Sequence, residues 1–203
     1  MKKTDIHLHL TFEQHPKTEH MFVSSAEHML PHLRELSIEK GILMSSGEGN
    51  SAVPFGSNDE CRQIAEAFPG IYFWMCNLDD VPENIFERLE TYKNQGAVGI
   101  GELMINRSID DPMIQEIFAA AETLSLPVLF HMSPEVGYEY GIVDDAGLPL
   151  LEESLKKYPN LKFIGHSQPF WHEISGDASG DLSSRMEWGK GEVAPGGRLS
   201  YLF

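Results

Sequence analysis

Cysteine is nearly absent: 203 residues hold two, Cys61 and Cys76. No Cys-x-x-Cys pair and no even set of spaced cysteines occurs, so neither a disulfide framework nor a thiolate zinc site is encoded. Both read as small buried apolar residues of a reducing compartment. Basic residues are scarce, 15 Lys and Arg against 31 Asp and Glu, a net charge of −16. A groove that tracks phosphates needs Lys and Arg, so nucleic acid is a poor expected partner. Long apolar runs are missing too; none reaches the roughly 18 residues of a membrane span. Met1-Lys2-Lys3 could open a signal peptide, but Asp5, His7 and His9 interrupt any apolar h-region. The expectation is a cytoplasmic protein acting on a small molecule, with no nucleic-acid or membrane partner and room for homo-oligomerisation.

What remains is an ordinary globular composition, 41% hydrophobic and 23% charged. It is organised as repeated strand-then-helix units. Strands are predicted near residues 4–10, 41–45, 71–76, 97–102, 127–131 and 161–166. Ile71-Tyr72-Phe73-Trp74-Met75-Cys76 has no polar face, as suits a strand buried on both sides. Helices are predicted between them: 26–39 with Ser25 as N-cap and Pro31 inside, 59–67 capped by Asn58 or Ser57, 82–94 closed by Gly96, 112–124 after Asp110-Asp111, and 148–157. Residues 167–197 read as a Gly- and Ser-rich loop, and 198–203 as the first turns of a helix. The strand starts lie roughly 25–37 residues apart, a βα repeat. Alternating apolar strands and amphipathic helices give an α/β fold with a parallel sheet, either doubly wound or closed as a (β/α)₈ barrel.

The polar residues that carry chemistry recur at the C-terminal ends of these strands. Asp5-Ile6-His7-Leu8-His9 ends the first, Glu102 the fourth, His131 the fifth and His166 the sixth. Alternate strand residues share a face, so His7 and His9 are neighbours. Two imidazoles that close cannot both be protonated cheaply, whereas a divalent metal binds both neutral rings. Each residue alone has a plainer reading: His131 or His166 as a satisfied core histidine, Glu102 as a salt-bridge partner of Arg107. In a barrel, however, these strand ends converge on one mouth, where active sites are built. His28 and His32, four apart on a predicted helix, share a face; without a Glu between them they read as a solvated face. His15, His20 and His172 lie in predicted loops. Gly99-x-Gly101 lacks the third glycine of a dinucleotide fingerprint.

Asp5-x-His7-x-His9, His131 after an apolar fifth strand, and His166 after Phe163-Ile164-Gly165 together resemble the amidohydrolase superfamily, in its amidohydrolase 2 flavour. The resemblance implies a (β/α)₈ barrel with one or two divalent ions at its mouth, zinc first and manganese second. It implies His7, His9 and His131 as metal ligands, Glu102 as a bridging carboxylate, and His166 as a histidine that supports the ligands or acts in catalysis, or as a ligand of a second ion. The implied reaction is hydrolysis by metal-activated water at a carbonyl-type carbon. The alternatives are non-hydrolytic decarboxylation on the same scaffold, a TatD-like metallo-nuclease, and an inactive barrel fragment. The family also uses an Asp on strand eight, and no strand seven or eight can be read here. The chain is therefore expected to be one barrel domain over 1–203, C-terminally truncated, about six βα units long and prone to self-association. Asp144, Asp177 or Asp181 would have to replace the missing ligand in a complete enzyme.

Overall fold

The computed structural model describes residues 1–16, 22–49, 55–178 and 185–193. His20, Asp181 and the terminal segment from Gly196 lie outside the described residues. The chain divides into two compact units, Met1–Val81 with Arg88–Glu102, and Pro82–Glu87 with Leu103–Phe203.

In the first unit, β1 (Lys3–Leu8), β2 (Ile38–Met44) and β3 (Tyr72–Met75) pair in chain order, all parallel. Gly41 sits between Asp5 on one side and Tyr72 on the other. A side chain there would meet the Leu8 methyl, so Leu8 packs over Gly41 and would have to shift for any larger residue. β4 (Ile100–Leu103) joins β3 through a parallel bridge from Cys76 to Ile100, with Gly101 N–H donating to Cys76 O at 2.7 Å. Four successive βα starts therefore lie side by side, as the right-handed crossover rule leads one to expect.

The helices start where their caps stand. Ser25 Oγ accepts from His28 N–H to open α1 (Ala26–Glu35), and Ser57 Oγ accepts from Glu60 N–H to open α2 (Asn58–Ala67). Of the two expected caps, Ser57 is the one used. Pro31 lies inside α1 without ending it. The helix is shorter than expected: Ser37 has a φ of 60°, the chain turns there, and Ile38 and Lys40 pair with Lys3 and Thr4 as the opening of β2. Residues 38–40 alternate too briefly to signal a strand without the partner that pairs them. α3 (Ile85–Asn94) packs Tyr92 edge-on to Trp74, ring centres 6.3 Å apart.

In the second unit β5 (Val128–Ser133) pairs in parallel with β7 (Phe163–His166). α4 (Pro112–Leu124) begins with Asp111 accepting from Met113 N–H and Pro112 in the first turn. It buries Ile114, Ile117, Phe118 and Ala121, with Phe118 edge-on to Phe163 at 4.9 Å. Two elements were not legible in the sequence. β6 (Ile142–Val143) pairs with Met132 and Ser133, and two residues carry no periodicity. α6 (Gln168–Ile174) follows α5 (Pro149–Lys157) and β7, inside the stretch expected to be loop. It forms because Phe170 lies over Gly165, where any side chain would collide with the ring, and stacks on Phe130 at 5.8 Å. The Gly- and Ser-rich composition that suggested a loop begins after it.

Cys61 and Cys76 are buried, as expected, and burial pushes both thiols up to about 12. Among the described residues no helix is long and apolar enough to cross a membrane.

Candidate metal centre

β1 ends at Leu8, so His9 stands just beyond the strand. The two imidazoles still meet: His7 Nε2 and His9 Nε2 are 3.0 Å apart, and each is 3.3 Å from Glu102 Oε2 at the end of β4. The His7 and Glu102 side chains are 21% and 5% exposed, His9 44%. Asp5 does not join them; its carboxylate accepts from His7 N–H at 3.1 Å and fixes the strand end instead.

This triangle fits a divalent ion. Three ligands held at about 2.0–2.1 Å from one centre stand roughly 2.9–3.4 Å from each other in octahedral or tetrahedral geometry. The observed separations of 3.0, 3.3 and 3.3 Å fall in that range. In the ion-free chain the same atoms hydrogen-bond one another, the ring tautomers deciding which nitrogen donates. Imidazole nitrogen with carboxylate oxygen is the donor set of zinc and manganese.

In the second unit His131 and His166 are register partners on β5 and β7. Their side chains therefore leave the sheet on one side, with ring centres 5.3 Å apart. Ser167 locks this register. Its hydroxyl donates to Met132 O at 2.6 Å and accepts from Met132 N–H at 3.1 Å, from a backbone with φ of 91° that a non-glycine residue rarely adopts. Tyr140 lies against His131 at 4.6 Å between ring centres. Its loop is tied at the neck by Asn106, which donates to Gly141 O at 2.9 Å and accepts from Gly137 N–H at 2.6 Å. Neither Ser167 nor Tyr140 was picked out from the sequence. Ser167 could have been found only by its place directly after His166; Tyr140 carried no signal at all.

The fallback carboxylates are engaged elsewhere. Asp144 is buried and accepts from the N–H groups of Asp145, Leu150 and Leu151, capping α5. Burial outweighs those donors and pushes its carboxyl up to about 6. Asp177, exposed, accepts from Ser175 Oγ and Lys190 N–H, and these hydrogen bonds hold it down to about 2. Arg107 pairs with Asp111 at 3.0 Å. His172, expected in a loop, is buried on α6; His15, His28 and His32 are exposed.

No curated protein matches the chain in sequence. Among solved structures, 2,6-dihydroxybenzoate decarboxylase from Rhizobium is similar with a TM-score of 0.58 and 15% identity, covering 87% of this chain and 71% of that one. An uncharacterised TIM-barrel protein from Bordetella bronchiseptica gives 0.55 and 14%, covering 81% and 66%. 5-carboxyvanillate decarboxylase from Novosphingobium aromaticivorans, with bound manganese, gives 0.51 and 18%, covering 72% and 52%. These likenesses establish the TIM-barrel type of α/β fold, of which the described residues supply about six βα units. The Amidohydrolase family profile matches residues 4–190. With nearly the whole chain matched and the strand-end histidines in place, the chain belongs to the amidohydrolase family.

Proposed function

We propose that the protein is a metal-dependent hydrolase of the amidohydrolase 2 type acting on a small organic substrate. The observation that carries the reading is the triangle of His7, His9 and Glu102, whose three donor atoms are spaced as ligands of one ion are. In this reading His7, His9 and Glu102 hold the ion. Zinc or manganese, when bound, supplies Lewis acidity that lowers the pKa of water and polarises a carbonyl.

The chain's own residues do the rest. His166, held beside His131 by the β5–β7 register, takes up and returns a proton within the useful range of imidazole. Ser167 ties the backbone that follows His166 to Met132 on β5. The buried Glu102 carboxylate faces both imidazoles and would balance the charge of an ion held there. The −16 charge supports a small-molecule substrate over a nucleic acid, which sets the TatD-like alternative aside.

A second reading, decarboxylation on the same scaffold, is favoured by the similarity to two decarboxylase structures. Metal analysis of the dialysed protein, followed by assays of ester, amide and lactone hydrolysis beside CO₂ release from carboxylic acids, separates the readings. Hydrolysis with retained metal is the expected result. CO₂ release without hydrolysis selects the second reading, and a protein that retains no divalent metal overturns both.

A further inference from the structure

α1 carries a feature that the strand-end cluster does not use. Ala26 and Leu33 are its buried residues, and Tyr72 donates to Ala26 O at 2.8 Å, so the rotation of the helix against the sheet is fixed. At 3.6 residues per turn, His28 and His32 lie about 200° and 240° round the axis from Ala26. Both face solvent. One turn apart, they meet: their ring centres are 5.7 Å apart and tilted by 62°. Glu35, also exposed, shares the face at about 180° from Ala26.

Two imidazoles that share an ion at about 2.0–2.1 Å have ring centres roughly 4.5–5.3 Å apart. The observed 5.7 Å is within a small side-chain rotation of that arrangement. Histidines at i and i+4 on one helix face are a proven pair of metal ligands; the intervening Glu of His-Glu-x-x-His serves catalysis, not ligation. Its absence here removes the protease chemistry and leaves the chelate. Exposed imidazoles need little desolvation to bind.

We propose that His28 and His32 form a second metal site, a surface two-imidazole chelate for a late first-row divalent cation. Copper(II) should bind most tightly, ahead of nickel and zinc, by the Irving–Williams order. The helix fills two coordination positions and leaves the others to water, with the Glu35 carboxylate the nearest acidic group on that face by helical periodicity. Such a site holds an exchangeable ion rather than a resident one. It stands independently of the proposed activity, since neither histidine belongs to a strand end.

The test is a Cu²⁺ titration of the full chain, read by calorimetry and by the nitrogen couplings in its electron paramagnetic resonance spectrum. His28→Ala/His32→Ala is compared with wild type, with His28→Ala alone and with His7→Ala/His9→Ala. The double variant on α1 should lose one weakly held equivalent with a two-nitrogen signature. His28→Ala alone should weaken that equivalent roughly 10–100-fold, because the second imidazole no longer binds intramolecularly. His7→Ala/His9→Ala should keep it. In the His7→Ala/His9→Ala background, added Cu²⁺ should also raise Tm, and adding His28→Ala/His32→Ala should remove that rise, because bridging one helical turn stabilises the folded form alone. Alanine suits an exposed helix, and His28→Gln/His32→Gln repeats the test with polar side chains. Unchanged stoichiometry and spectrum in either α1 double variant, or a His28→Ala variant that binds as tightly as wild type, overturns the proposal.

Discussion

The two strand-end clusters are built differently. His7, His9 and Glu102 are held together by their own polar atoms, at 3.0 and 3.3 Å, and one of the three is barely anchored: His9 lies past the end of β1 and is 44% exposed. His131 and His166 are held by the scaffold. Paired backbones and the Ser167 bonds to Met132 set their register, and the Tyr140 ring packs against His131. The first arrangement brings three donor atoms to ligand spacing; the second sets two rings by strand register. A ligand cluster is thus separated from a pre-set imidazole pair by how each is supported.

The largest break in that contrast is to remove the first cluster. His7→Ala/His9→Ala should abolish retention of divalent metal after dialysis, measured by elemental analysis, and leave the β5–β7 pairing intact. Retention at the wild-type level would show that these imidazoles are not ligands. Next is the second pair. In a metal-loaded, active form, His166→Asn should lower kcat by roughly 10²–10⁴, the usual worth of a general acid or base. Most of the metal should stay bound; loss of metal in step with activity would make His166 a ligand.

A pH effect in the second unit sharpens the comparison further. The Asp144 carboxyl is raised by burial from 3.8 to about 6. Folding therefore favours its protonated form. The resulting stability is fully present below about pH 4 and is lost as pH rises through about 6, an effect on the order of 2–3 kcal/mol. Urea unfolding between pH 4 and 7 should show this slope in wild type, and Asp144→Asn should flatten it. The smallest effect falls on the Ser167 bonds. Ser167→Ala strands the Met132 N–H and C=O in a buried place and should cost about 1–2 kcal/mol in the same assay. Ser167→Gly, which frees the φ of 91°, should lose less.

Much of this was legible from residues alone. Apolar strands such as Tyr72–Met75, serines at 25 and 57, and Asp111-Pro112 mark element types by local chemistry that the structure repeats. Histidines at strand ends could be listed because a parallel βα repeat puts strand ends on one side. Elements whose formation depends on a distant partner were hidden. Residues 38–40 become strand only beside Lys3 and Thr4, Ile142–Val143 only beside Met132 and Ser133, and α6 only where Phe170 finds the space above Gly165.

The sequence by itself determined the repeat of strands and helices, the acidic surface, the buried cysteines and the histidine-bearing strand ends, because periodicity, composition and capping act over a few residues. Only the tertiary structure decided that Glu102, more than ninety residues along the chain, meets His7 and His9 at 3.3 Å, and that Ser167 pins His166 beside His131. Distances of that kind are set by strand register and by which side chains share a cavity, and both follow from packing across the sheet rather than from neighbours along the chain.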